Sequence, residues 1–83
     1  MGRGKRAFPK RLGQKLKQIR LKLKIETYEE MINRLNCPEA KLHPSSIYLF
    51  EQGDREPLLV VLLQYSRLAK IPVEALIDDD LDL

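Results

Sequence analysis

The chain has 83 residues, which is enough for one domain and too few for two. Apolar residues make up 43% and charged residues 33%, a composition typical of a folded protein and not of a disordered one. The longest apolar run, residues 58–63, is far shorter than the roughly 20 residues of a membrane-spanning helix. The single cysteine, Cys37, can form no internal disulfide, and no apolar leader follows the first residues. These features predict a cytoplasmic protein that does not enter a membrane.

The net charge of +3 conceals a strong asymmetry. Residues 1–24 contain ten Lys or Arg residues and no acidic residue, whereas residues 25–83 contain five basic and twelve acidic residues. A segment of charge +10 attracts phosphate groups whatever the sequence that carries them. The alternative is a solvated segment that keeps the protein in solution, and charge alone leaves both interpretations open.

The first third of the chain predicts a basic arm followed by a basic amphipathic helix. Residues 1–10 contain two Gly, one Pro and four basic side chains, which favours a flexible arm. A helix is predicted over residues 11–24, because apolar side chains recur at the spacing of one helical face, namely at Leu12, Leu16, Ile19 and Leu23. Its outer face is predicted to carry Lys15, Lys17, Lys22 and Lys24.

The middle of the chain predicts two helices with clear ends. Thr27 and Glu30 have the spacing of a capping box, so a second helix should begin at Thr27 and run to about Leu35. Pro38 prevents that helix from continuing, and residues 36–41 are predicted to form a connection. A third helix should begin at Pro44, with His43 as its cap and Ile47 and Phe50 facing inward, and end before Gly53.

The last third predicts two further helices and an acidic tail. A fourth helix opens at Pro57, with an inward face of Leu59, Leu62, Leu63, Leu68 and Ala69. Three other apolar residues, Leu58, Val60 and Val61, could form a dimer surface or additional core. A short fifth helix has Pro72 in its first turn and turns Val73, Leu76 and Ile77 inward, and residues 78–83 are acidic. The prediction is an all-α bundle of five helices.

Three stretches of this pattern, in this order and at this spacing, resemble the Cro/phage-repressor type (XRE) helix-turn-helix DNA-binding family. They are residues 12–20 (LGQKLKQIR), residues 27–31 (TYEEM) and residues 46–57 (SIYLFEQGDREP). The resemblance implies a five-helix lambda-repressor-like helix-turn-helix domain over residues 11–77, with residues 1–10 as an arm and 78–83 as a tail. It also implies a transcriptional regulator of the repressor or antitoxin kind, which binds double-stranded DNA as a homodimer.

The same resemblance implies which residues meet DNA. The third helix, about residues 44–51, lies in the major groove, and the second helix crosses the phosphate backbone. The implied base-reading residues are Pro44, Ser45 and Leu49, with Ser46 and Tyr48 beside them. The implied phosphate contacts are the backbone amides of Tyr28 and Glu29 and the side chain of Arg55, and Lys41 and His43 are further candidates for DNA contact. The basic arm, with Arg3, Lys5, Arg6, Lys10 and Arg11, could contact phosphates or enter a groove. Arg20 and Glu51 correspond to a structural ion pair between the first and third helices.

Two departures from the family pattern keep a second function open. The turn between the second and third helices is about five residues longer, at residues 36–40, and Ile32 replaces a small residue, so a wider spacing of these helices is expected. The third helix also begins without Arg, Lys, Asn or Gln, the side chains that read bases most strongly. The alternative is a protein-interaction module that reuses the helix-turn-helix fold without sequence-specific DNA binding.

Neither a metal site nor a catalytic site is expected. His43 is the only histidine, and one His with one Cys does not make a zinc site. Cys37 lies in a connection and is predicted to be an exposed thiol without a base beside it. No strand-turn-helix elbow surrounds Ser45 and Ser46. We therefore expect a non-enzymatic protein with no cofactor.

Overall fold

The computed structural model describes residues 9–83, and this part of the chain is all-helical, which confirms the predicted class. Five α-helices follow one another: α1 (Leu12–Lys22), α2 (Tyr28–Leu35), α3 (Pro44–Gln52), α4 (Leu59–Ala69) and α5 (Val73–Ile77). A short 3-10 helix, Pro38–Ala40, lies between α2 and α3. No helix within residues 9–83 is long and apolar enough to cross a membrane.

Local hydrogen bonds set the ends of α2 and α3, as predicted. The Thr27 hydroxyl oxygen accepts a hydrogen bond from the Glu30 backbone N–H at 3.1 Å and begins α2. The His43 backbone N–H donates to Ser46 Oγ at 3.2 Å and fixes the start of α3. Gly53 ends α3 in the left-handed conformation, with φ of 80°, which a residue without a Cβ adopts at little cost.

α1 packs against α3, α4 and α5, and α2 packs against α3 and α4, with the core enclosed between them. The inward stripe predicted for α1 is confirmed at Leu12, Leu16 and Ile19, although the helix ends at Lys22 and leaves Leu23 half-buried. The buried core consists of Leu12, Leu16, Ile19, Ile25, Met31, Leu35, Cys37, Ile47, Phe50, Val61, Leu62, Tyr65 and Leu76. Every helix therefore contributes to one continuous core.

The predicted orientations of α4 and α5 are wrong in part. Leu59 and Leu63, predicted to face inward, are 83% and 37% exposed, whereas Val61 is completely buried. The helix begins at Leu59 instead of Pro57. Six consecutive apolar residues carry no periodic signal, so the sequence could not indicate which of them is buried. In α5, Ile77 is exposed and Ala75 takes the predicted inward place.

Two polar or reactive side chains are buried against prediction. Lys15 was expected on the outer face of α1 but is 1% exposed, because its ammonium group donates to the backbone oxygens of Ala75 and Asp78, each at 2.8 Å. Cys37 belongs to the core and is not an exposed thiol. Burial, and then the carboxylate of Glu39, raises the pKa of the Cys37 thiol. This cysteine is therefore less reactive than a surface thiol.

Tyr65 supplies a prediction about stability. Its ring is fully buried, and its hydroxyl has no hydrogen-bond partner among residues 9–83. An unpartnered buried hydroxyl costs about 1–3 kcal/mol, so Tyr65→Phe should raise the free energy of unfolding in urea by about 1 kcal/mol. Tyr48→Phe, which changes an exposed hydroxyl, is the matched control and should leave stability unchanged.

The pH dependence of the same variant gives a second measurement. Burial, and then the Glu51 carboxylate, raises the pKa of the Tyr65 hydroxyl above its ordinary value of 10.0. The unfolded chain therefore loses this proton more readily than the native protein, and native stability falls as the pH rises above about 10. The advantage of Tyr65→Phe should widen in that range. A variant that is less stable than the wild type at neutral pH would contradict the prediction.

Candidate functional site

The outer surface of α3 is exposed to solvent. α3 packs against α1 and α2 through Ile47 and Phe50, which are buried. The opposite side forms what we call the α3 outer face, made of the exposed residues Pro44, Ser45, Tyr48 and Gln52 and the half-buried Leu49. These positions recur every three or four residues and so form one stripe along the helix. The stripe carries no charged side chain.

The structure separates one predicted DNA-contacting residue from this face. Ser46 is 5% exposed, and its hydroxyl oxygen accepts the hydrogen bond from the His43 backbone N–H. Its side chain therefore stabilises the start of α3 and does not reach the outer surface. His43, at the cap position, and Ser45 remain exposed.

A buried ion pair anchors α3 to α1. Arg20 Nε lies 2.7 Å from Glu51 Oε2, and Arg20 Nη2 lies 3.1 Å from Oε1, which makes the pair bidentate. Arg20 Nη1 also donates to the Ile25 backbone oxygen at 3.1 Å. The hydrogen bond that Arg20 donates to Glu51 raises the pKa of Arg20, although burial opposes the charge. The pair implied by the resemblance is thus present, and the charge of each residue is satisfied inside the protein.

The rings of Tyr28 and Tyr48 extend the contacts of the buried ion pair to the surface. The guanidinium carbon of Arg20 lies 5.1 Å from the centre of the Tyr28 ring, within the range of a cation–π contact. The Tyr28 ring meets Tyr48 edge to face, with ring centres 6.4 Å apart and planes at 62°. Contacts therefore run from Glu51 through Arg20 and Tyr28 to Tyr48, and they link α3 to α1, to α2 and back to α3.

All four residues are candidates in the sequence, but only Arg20 and Glu51 are expected there to be in contact. Tyr48 and Glu51 are three residues apart on α3, so Tyr48 lies at the edge of the outer face, next to the side that approaches Arg20 and Tyr28. The spacing of Tyr48 and Glu51 is the part of this arrangement that the sequence indicates. The approach of α2, which brings Tyr28 within reach of both, is a tertiary feature that spacing does not reveal.

The charged side chains around the α3 outer face nearly balance. The exposed charged residues on α2 and in the two connections that flank α3 are four acidic and three basic ones: Glu29, Glu30, Arg34, Glu39, Lys41, Asp54 and Arg55. Arg34 and Glu30 lie one helical turn apart, with Nη1 3.9 Å from Oε2. The face is therefore close to neutral, and any strong positive potential has to come from residues 1–24.

The long connection between α2 and α3 is folded and packed. Asn36 and Lys41 both adopt left-handed backbone conformations, with φ of 50° and 51°, on either side of the 3-10 helix. Cys37 is buried in the core, and Ala40 and Leu42 pack against it. The additional residues 36–40 thus form a compact turn, while α2 and α3 remain in contact.

The acidic tail contacts the end of the predicted arm. The backbone N–H groups of Lys10 and Arg11 each donate to the Asp79 carboxylate at 3.0 Å, and the Arg11 guanidinium also pairs with Asp82. Hydrogen bonds from Arg11, and then from Lys10, lower the pKa of Asp79, and the Arg11 side chain lowers the pKa of Asp82. The other predicted arm residues, Arg3, Lys5 and Arg6, lie outside the described part of the chain.

Neither grouped metal ligands in residues 9–83 nor similarity to known proteins indicates another kind of site. Across residues 9–83, no three His, Cys, Asp or Glu side chains are grouped so that they could hold a metal ion. No family model, no curated protein and no solved structure matches this chain. A proposal about function therefore has to rest on the chemistry of the chain's own residues.

Proposed function

We propose that the protein is a DNA-binding transcriptional regulator of the repressor or antitoxin kind, with a lambda-repressor-like helix-turn-helix fold. The observation that carries the proposal is the α3 outer face, an exposed and uncharged helical stripe on a rigid base. A helix with such a face fits the major groove, where it can approach base edges closely. The buried pair of Arg20 and Glu51 and the contact of Tyr28 with Tyr48 hold the helix in a fixed orientation.

Phosphate contacts supply the affinity in this proposal. Of the ten basic residues in 1–24, Lys15 and Arg20 are buried with their charges satisfied inside the protein, whereas Lys17, Lys22 and Lys24 are exposed on and after α1. The N-terminal end of α2, at Tyr28 and Glu29, would point toward a phosphate, with Lys41, His43 and Arg55 beside α3 as further contacts. Because the α3 outer face is neutral, base reading would add to a binding energy that is mostly electrostatic.

An electrophoretic shift with genomic fragments at about 150 mM salt tests this function, because sequence-specific complexes survive at that ionic strength. We expect a subset of fragments to shift in the presence of excess competitor DNA. A chain that shifts nothing beyond the competitor is not a sequence-specific regulator.

The contribution of the arm can be measured separately. Replacing Arg3, Lys5 and Arg6 with Gln should reduce the slope of log K against log salt by about 2.7, if each cation neutralises one phosphate. Fluorescence anisotropy with a labelled duplex at several salt concentrations gives the slope. The control is Arg67→Gln with Lys70→Gln, which removes exposed cations at the end of α4. A slope unchanged by the arm substitutions would remove the arm from the mechanism.

We propose further that the protein acts as a homodimer through α4. Leu58, Leu59, Val60 and Leu63 are exposed together at its start, and we call them the α4 apolar patch. Val61, which the sequence analysis grouped with Leu58 and Val60, is buried and belongs to the core. An exposed patch of this kind in so small a protein favours a partner. A symmetric pair would place two recognition helices about 34 Å apart, one turn of DNA.

Sedimentation velocity tests the dimer. Leu59→Arg with Leu63→Arg places two like charges in the α4 apolar patch and should give a monomer at concentrations where the wild type is a dimer. Leu21→Arg, at an exposed leucine of α1, is the matched control and should leave the dimer intact. A wild-type chain that remains monomeric at every concentration would refute this part of the proposal.

A protein-interaction module is the second candidate, and the near-neutral charge around the α3 outer face favours it. The +10 segment favours DNA, because a protein partner gives no reason for so many cations in residues 1–24. An unbiased selection from random duplex DNA separates the two. Enrichment of a motif supports the regulator, whereas an unenriched pool supports the interaction module.

A further inference from the structure

The chemistry of the α3 outer face restricts what it can read. Guanine is read best by Arg or Lys, and adenine by Asn or Gln. The face contains none of these except Gln52, which is the last residue of α3 and lies at the opposite end from the helix start. Over its first two turns the face carries the hydroxyl groups of Ser45 and Tyr48 and the carbon surfaces of Pro44, Leu49 and the Tyr48 ring.

Tyr48 is the largest of these surfaces and is held in place. Its ring is 48% exposed, yet one edge contact with Tyr28 fixes its position relative to α2. Tyr28 is held in turn by the guanidinium of Arg20, whose own position is set by Glu51. A ring that is already ordered loses little conformational freedom when a ligand covers it. The exposed part of Tyr48 therefore forms a preformed apolar surface beside Leu49.

We propose that Tyr48 and Leu49 form a recognition surface for the C5-methyl group of pyrimidines in the major groove. This methyl is the apolar group that a base pair displays there, and thymine carries it. Cytosine that is methylated at C5 displays the same group at the same position. Ser45 adds a hydroxyl that can bond to neighbouring base edges and does not restrict the choice of base. The inference rests on the proposed DNA binding and names the base chemistry that this site selects.

Removing the methyl group from the DNA tests the inference directly. Alternating adenine–thymine duplex is compared with alternating adenine–uracil duplex, and alternating guanine–cytosine duplex with its C5-methylated form, by anisotropy competition. Uracil keeps the hydrogen-bonding groups of thymine and lacks only the methyl. We expect the wild type to bind each methylated duplex more tightly, by about fourfold for each contacted methyl, as burial of one such group implies.

Protein variants separate a methyl contact from an effect of the methyl on DNA shape. Tyr48→Ser with Leu49→Ser should bind the methylated and unmethylated duplexes equally, whereas Tyr48→Phe keeps the ring and should keep the preference. Leu21→Ser, an exposed leucine of α1 outside this surface, should also keep it. Circular dichroism verifies that each variant is folded, and Leu49→Ser alone replaces the double variant if that variant loses its helical signal.

The outcomes distinguish failure of the inference from failure of the proposed function. Equal binding of methylated and unmethylated duplexes by the wild type overturns the methyl inference and leaves DNA binding intact. A preference that survives in the serine variant overturns the assignment to Tyr48 and Leu49. Preference for only one of the thymine and methylcytosine duplexes identifies the base that is read and supports the inference. Binding to none of the duplexes overturns the methyl inference, and the absence of any shifted genomic fragment overturns the proposed DNA binding as well.

Discussion

Glu51→Ala is expected to lower the free energy of unfolding by about 3–5 kcal/mol, the cost of removing one partner from a buried ion pair. Arg20 is 8% exposed, and without Glu51 its guanidinium would keep only the hydrogen bond to the Ile25 backbone oxygen. The charge would then remain buried without a counterion. Denaturation in urea, followed by circular dichroism, measures the loss. Small domains have total stabilities of about 5–15 kcal/mol, so the variant should be close to unfolding without denaturant.

Two controls test whether the buried charge of Arg20, left without a counterion, causes the loss of stability. Arg20→Met with Glu51→Leu removes both charges and should recover much of the loss, because a buried pair can often be replaced by apolar residues. Glu30→Ala breaks the exposed pair with Arg34, whose side chains are 50% and 45% exposed, and should cost less than about 1 kcal/mol. A Glu51→Ala variant that loses less than about 1 kcal/mol would show that Arg20 finds another partner or reaches water.

The features that local sequence encodes were predicted well. Thr27 begins α2 and Gly53 ends α3, because a cap or a left-handed residue acts on atoms within one helical turn. The inward stripe of α1 was also predicted, since polar residues separate Leu12, Leu16 and Ile19 and leave a clear period. Where hydrophobic period and cap chemistry agree, the sequence alone defines a helix and its buried side.

The features that depend on distant residues were missed. Lys15 is buried because its ammonium group bonds to the backbone oxygen of Ala75, 60 residues along the chain. Arg11 was assigned to a free arm, yet it contacts Asp79, 68 residues away. In both cases the residue type correctly indicates a charge that needs a partner. Which partner it finds depends on how α5 and the tail return to α1, and no local pattern carries that information.

The candidate site also combines features that local sequence indicates with features that depend on distant residues. The residues of the α3 outer face could be identified from helical spacing, because the inward pair of Ile47 and Phe50 leaves the opposite side exposed. The fixed position of Tyr48 could not, because it results from α2 bringing Tyr28 to α3. The methyl-reading inference depends on that fixed position and therefore required the structure.

Gly13 leads to the second large effect, and its role was not visible in the sequence. It is buried near the start of α1, where α1 crosses the end of α3. A Cβ atom added there would lie 2.7 Å from the backbone oxygen of Glu51 and 2.8 Å from that of Phe50. These atoms belong to a helical backbone and cannot move aside as a flexible side chain could. Gly13 is thus required because the two helices approach so closely.

Gly13→Ala should therefore lower the free energy of unfolding by about 1–2 kcal/mol, because forcing a methyl group to within 2.8 Å of backbone oxygens costs about 2–3 kcal/mol, the upper part of the range for overpacking. The gain in helix propensity from Gly to Ala, about 1 kcal/mol, offsets only part of that cost. Gln14→Ala is the matched control, since Gln14 is the exposed neighbour on the same turn and its replacement should change stability by less than about 0.5 kcal/mol.

Gly13→Val is a stronger test of the close contact between α1 and α3. A larger side chain has to push α1 away from the carbonyl groups of Phe50 and Glu51, and the displaced Arg20 can then no longer meet Glu51 at 2.7 Å. The effects of Gly13→Val and Glu51→Ala should therefore sum to more than the double variant loses, because both disrupt the same contact between α1 and α3. Strictly additive losses in urea denaturation would show that the glycine and the ion pair stabilise the protein independently.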